Sequence, residues 1–123
     1  DTEASLRTAA EKLVAQGCST VYVTLGADGC AYADSKGRYF RMKLRPAQRM
    51  ANATGAGDAF TAAAVYGFVK RYAPERTVSL ALAAGLAAIG SEATVEPRVS
   101  EVFLDAILTE NPPVYVDKRP DLR

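Results

Sequence analysis

The nine residues Asn52-Ala53-Thr54-Gly55-Ala56-Gly57-Asp58-Ala59-Phe60 constrain this chain more than any other stretch, because they read as a loop that turns directly into a helix. Glycine adopts φ > 0 without steric cost and lets another group approach the backbone. The amides of Gly55, Ala56, Gly57 and Asp58 then stand at a helix start. Unpaired N–H groups and the helix dipole attract an anion there. An aspartate within such a cradle opposes the anion it surrounds. Its presence makes sense if the carboxylate takes a proton from a nucleophile while the amides hold the charged group under attack. That arrangement suits phosphoryl transfer onto a hydroxyl. The plain alternative is a Gly-x-Gly-Asp turn that only punctuates the chain, with Asp58 complementing the dipole.

Around this junction the pattern predicts helix, strands, then helices. Thr2 to Gln16 reads as an amphipathic helix with Leu6, Ala9, Ala10, Leu13 and Val14 on one face, stopped by Gly17. Val21 to Leu25 is a short apolar run consistent with a buried parallel strand. Gly26 to Gly29 is a turn, Cys30 to Ala33 a strand, Ser35-Lys36-Gly37 a turn, and Arg38 to Leu44 a third strand that alternates toward the surface. Arg45 to Ala53 reads as loop. Helices are expected from Ala56 to about Tyr72, closed by Ala73-Pro74, and from Thr77 to about Ser91. A shorter helix capped by Ser100 runs through about Thr109. Asn111-Pro112-Pro113 breaks it, and the tail is either an edge strand or a loosely held end. This order points to a layered α/β fold. One buried-looking strand is short for a complete domain of that kind.

At 123 residues, 49% of them hydrophobic, the chain has enough apolar mass for one globular core. A net charge of +1 gives no field that selects nucleic acid or a membrane surface. The apolar run from Val78 to Gly90 is too short and too alanine-rich to span a bilayer. With no histidine, a Ser-His-Asp or Cys-His hydrolase and a His-ligated zinc site are excluded within this chain. Cys18 and Cys30 lack metal-like spacing and are expected to be free, buried thiols in a reducing cytoplasm. No metal site is assigned.

The string from Asn52 to Asp58 resembles the Asp-Thr-x-Gly-Ala-Gly-Asp signature of the ribokinase-like (PfkB-type) carbohydrate kinases, departing from it at Asn52 and Ala53. The resemblance runs from the first helix to about Asp105. It covers only the C-terminal part of such a kinase. The family's N-terminal Gly-Gly region, its substrate-covering lid and its Asn-x-x-Glu motif have no counterpart here.

The resemblance implies a ribokinase-like layered fold and an ATP-dependent phosphotransferase that uses Mg2+. It assigns Asp58 as the catalytic base and Gly55, Ala56 and Gly57 as the anion hole. Thr54, with Thr24, Gly26 and Gly29 of Thr24-Leu25-Gly26-Ala27-Asp28-Gly29, would bind nucleotide. A tight turn explains Gly26 and Gly29 about as well. The helix from Thr77 and the loop 92–97 would wall the adenine, with Ala83, Ala84 and Ala87 making room for it, although close helix packing accounts for these alanines equally. Asn52 offers a monovalent cation a neutral oxygen where the family has a carboxylate, so such a site is weakened or lost. Asn52, Ser91 to Val95 and Pro97 are more similar to pseudouridine kinases than to ribokinase or fructokinase. Arg38, Arg41, Lys43, Arg45 and Arg49 read as a solvated basic face.

The expected partners are a small sugar or nucleoside and the remainder of the kinase, with a homodimer left open. Without that remainder the fragment is expected to be inactive. The rival readings are a non-catalytic nucleotide-binding or regulatory module, and a structural domain whose glycines only make turns.

Overall fold

Four short strands lie side by side in chain order: β1 (Thr20–Thr24), β2 (Cys30–Asp34), β3 (Tyr39–Leu44) and β4 (Pro113–Lys118). Every pairing is antiparallel. The computed structural model describes residues 2–45, 56–89 and 97–118. The parallel strand expected at Val21 to Leu25 is thus half of an antiparallel hairpin, with Val21 opposite Ala33 and Val23 opposite Ala31. A continuous apolar run reports burial on both faces, which helices on either side of any sheet can supply, so it does not reveal strand direction.

Period-2 alternation sends the strand residues to two cores. Val21, Ala31, Ala33 and Tyr39 face α1 (Thr2–Ala15), which contributes Ala10 with Leu6 and Val14 beside it. Leu13 remains exposed and so does Ala9, so the buried face of α1 is narrower than its pattern suggested. Tyr22, Cys30, Tyr32, Phe40 and Met42 face the other way, toward α2 (Ala56–Val69), α3 (Pro74–Ile89) and α4 (Pro97–Glu110). Their rings form a chain of contacts: Tyr22 edge-on to Tyr32, Tyr32 stacked on Phe40, and Phe40 edge-on to Tyr115.

Prolines start two of the helices. Pro74 begins α3 and Pro97 begins α4, because at the first helical position the missing N–H is no loss and φ is already set. The expected starts at Thr77 and Ser100 therefore move back by three residues, and Ser100 lies inside α4 rather than capping it. Asn111 closes α4, its amide and its Nδ2 both donating to the Ile107 carbonyl. The tail is the edge strand β4, with Val116 as an extra residue opposite Arg41 and Met42. Among the described residues no helix is long and apolar enough to cross a membrane.

Candidate functional site

The hairpin β1–β2 closes through a one-turn 3₁₀ segment, Gly26–Asp28. Within it the Leu25 amide donates to the Gly29 carbonyl at 2.8 Å, Asp28 to Leu25 at 3.1 Å and Gly29 to Gly26 at 3.1 Å. The amides of Leu25, Asp28 and Gly29 are therefore committed to the turn itself. Arg41 on β3 fastens it from below, donating from Nε (3.2 Å) and Nη2 (3.0 Å) to the Asp28 carbonyl while Nη1 pairs with Glu3 of α1. The solvated role expected of Arg41 gives way to a structural one, as does that of Arg38, which pairs with Asp34 at 2.6 Å. Alternation along β3 carried the signal: Arg41 shares its face with Tyr39, the face that α1 covers.

Gly29 has φ +93, and a Cβ built on it would collide with the Met42 carbonyl on β3. The approach of β3 alone accounts for glycine there. A Cβ on Gly26, at φ +60, would meet no described atom within 4 Å, and Thr24 is exposed at the end of β1.

Thr54 and Gly55, like Asn52, lie outside the described residues. Ala56 begins α2, and Gly57 and Asp58 follow in its first turn, both exposed. A Cβ on Gly57 would meet no described atom within 4 Å. Glycine at 57 is thus not demanded by the packing of the described fold, in contrast to Gly29. Thr61 donates its hydroxyl back to the Gly57 carbonyl at 2.9 Å, which leaves the helix start intact.

Two contacts orient α2. Phe60 rests edge-on against Tyr22 with 6.2 Å between ring centroids. At the other end of the helix, Phe68, Arg71 and Tyr72 line a cavity together with Ser19 and Thr20 at the start of β1. The helix therefore runs antiparallel to β1. Asp58 and Gly57 come to the same pole of the molecule as Thr24 and the Gly26–Asp28 turn.

Ala83 and Ala84 are fully buried in the core, so they serve packing, while Ala87 is half-buried and the loop 90–96 lies outside the described residues. Both cysteines are free, but only Cys30 is buried; burial pushes its thiol up to about 12, whereas Cys18 is exposed. Among the described residues no group of three His, Cys, Asp or Glu side chains could hold a metal ion.

A family model for pfkB family carbohydrate kinases matches residues 1–101. A 1-phosphofructokinase of Haemophilus influenzae is 34% identical over 103 residues, spanning 81% of this chain and 31% of that protein. A 2-dehydro-3-deoxygluconokinase of Thermoproteus tenax is 35% identical over 95 residues, spanning 74% of this chain and 29% of its own. A crystal structure from Clostridium perfringens, of a protein taken to be a sugar kinase, superposes with a TM-score of 0.80 at 28% identity, covering 96% of this chain and 36% of that one. The chain thus spans about a third of the length of the relatives it matches.

Proposed function

The chain belongs to the pfkB family of carbohydrate kinases, and from that premise we propose that it is the C-terminal, ATP-binding and catalytic portion of a kinase acting on a hydroxyl of a sugar or nucleoside. The observation that carries the reading is the first turn of α2. An exposed carboxylate, Asp58, and a glycine that the described packing does not require stand together at the pole where β1 ends. Side-chain-free backbone at a helix start is what a phosphoryl group needs for close approach.

In this mechanism Gly55, Ala56 and Gly57 donate amide hydrogen bonds to the phosphoryl group under transfer. Asp58 accepts the proton of the acceptor hydroxyl as its oxygen attacks the γ-phosphorus and the bond to the departing ADP breaks. Thr24, Gly26, Gly29 and Thr54 hold the nucleotide, Gly29 by shaping the turn. Magnesium is commonly bound by one or two carboxylates and the phosphates themselves, so the lack of a three-ligand cluster among the described residues is compatible with it. When bound it neutralises phosphate charge.

The rest of the polypeptide supplies the acceptor surface. Strand β1 is an outer strand of the described sheet, and Val65 and Val69 on α2 are 56% and 71% exposed, an apolar stripe that further chain would cover. Among acceptors, Asn52, Ser91 to Val95 and Pro97 favour a nucleoside such as pseudouridine, whereas the relatives carry sugar names. The test is an ATP-dependent transfer assay on the complete kinase against phosphorylated fructose, 2-dehydro-3-deoxygluconate and pseudouridine. Turnover of any one supports the reading and fixes the acceptor. Nucleotide binding without transfer to any sugar or nucleoside would favour the regulatory module instead.

A further inference from the structure

A cavity of about 510 Å³ opens at the pole opposite Asp58, between the start of β1, the β2–β3 turn and the junction of α2 with α3. Its size is that of a small-molecule site. Tyr22, Tyr32, Phe68 and Tyr72 give it aromatic walls. Its one carboxylate, Asp34, is already consumed: it accepts from Tyr32 Oη at 2.8 Å, from the Lys36 and Arg38 amides at 2.9 and 3.1 Å, and from Arg38 Nε at 2.6 Å. Lys36 and Arg71 also line the cavity, and among the described residues their side chains have no hydrogen bond or ion pair. Two exposed cationic residues without a partner among the described residues therefore border an open aromatic cavity.

Arg71 stands where the backbone favours another residue. The Tyr72 amide donates to the Gly67 carbonyl at 3.0 Å and the Arg71 amide to Phe68 at 3.1 Å, the paired bonds that end a helix through a left-handed residue. That residue is usually glycine, yet here arginine takes φ +61. A guanidinium stands at a position where glycine fits the backbone better.

We propose that this cavity is a second ligand site, taking a small organic phosphate: a monoester group between Lys36 and Arg71 and a flat apolar body against the aromatic walls. A phosphate monoester carries nearly two negative charges at neutral pH, matching the two free cations. The site is separate from the nucleotide cradle. Asp58 and Arg71 sit at opposite ends of α2, about 20 Å apart at 1.5 Å per helical residue.

The test titrates the complete kinase with phenyl phosphate, and in parallel with inorganic phosphate, following backbone amide resonances by NMR. Saturable shifts are expected at residues 19–22, 34–38 and 68–72. Arg71→Gly suits the backbone, so it should melt at the same temperature or higher while binding phenyl phosphate about tenfold more weakly, the worth of one charge-assisted contact. Inorganic phosphate, lacking the ring, should also bind at least about tenfold more weakly than phenyl phosphate. The proposal is overturned by no saturable shift up to about 10 mM phenyl phosphate, or by shifts confined to residues 56–60. Unchanged affinity in Arg71→Gly, or equal affinity for the two probes, would overturn it as well.

Discussion

Gly29 and Gly57 look alike in the sequence, and the described fold demands glycine only at the first. Gly29 combines φ +93 with contact against the Met42 carbonyl, so Gly29→Ala should cost about 2 kcal/mol or more, read as a lowered denaturation midpoint. Gly57 lies in the first turn of α2 with no described atom near a Cβ, so Gly57→Ala should leave stability unchanged or raise it by up to about 1 kcal/mol. In the complete kinase the same methyl group would stand where the phosphate approaches, and nucleotide affinity should fall. Unchanged affinity with unchanged stability would leave Gly57 without a role. The helix start at Ala56 was legible because its cue is local. The reason for Gly29 was not, since the carbonyl it must clear belongs to a strand thirteen residues later.

Among the elements, α2, α3 and α4 are tied by one polar network and one close approach. Gly67 on α2 lies against Thr77 of α3, where an added Cβ would come within 2.5 Å of its hydroxyl oxygen. Arg76 of α3 reaches α4, donating to Asp105 Oδ1 at 2.5 Å and to Glu101 Oε1 at 3.0 Å, while the Tyr66 and Tyr72 hydroxyls of the α2 segment also donate to Glu101. The Arg76 guanidinium holds both carboxyls below their ordinary values, the Tyr66 and Tyr72 hydroxyls adding to the effect on Glu101. At Asp34 burial pushes upward, but the hydrogen bonds from Tyr32 and Arg38 outweigh it and the net direction is again down. A carboxyl depressed in the folded state stabilises the fold above its unfolded pKa, and that contribution is lost as pH falls through the folded value. Melting temperature should therefore drop as pH is lowered below about 4. Arg76→Leu should flatten that drop, and an identical acid profile in the variant would remove the network from the account. The starts of α3 and α4 lie earlier than the sequence pattern predicts, because Pro74 and Pro97 open helices where a proline also reads as a stop or loop. The direction of β1 was misjudged because burial on both faces looks the same in parallel and antiparallel strands.

At the scale of the whole molecule, among the described residues β1 is an outer strand and Val65 and Val69 form an exposed apolar stripe on the helical layer. The relatives are about three times as long. On the proposed reading further chain positions the acceptor hydroxyl, and positioning supplies much of the rate in phosphoryl transfer. The layered α/β class and the kinase family were legible from element order and from the glycine string. The acceptor was not, because the glycine string speaks to phosphoryl transfer whatever hydroxyl receives it, and the chain spans about a third of its relatives' length. The central claim is that Asp58 is a base and not merely a partner of the α2 dipole. Asp58→Asn in the complete kinase tests it most directly, with kcat, nucleotide affinity and melting temperature measured on one preparation. The account predicts a kcat lowered by roughly 10²–10⁴, nucleotide binding intact or slightly tighter, and a melting temperature near that of the parent. A normal kcat with a lowered melting temperature, the signature of a lost dipole contact worth about 0.3–1 kcal/mol, would contradict it.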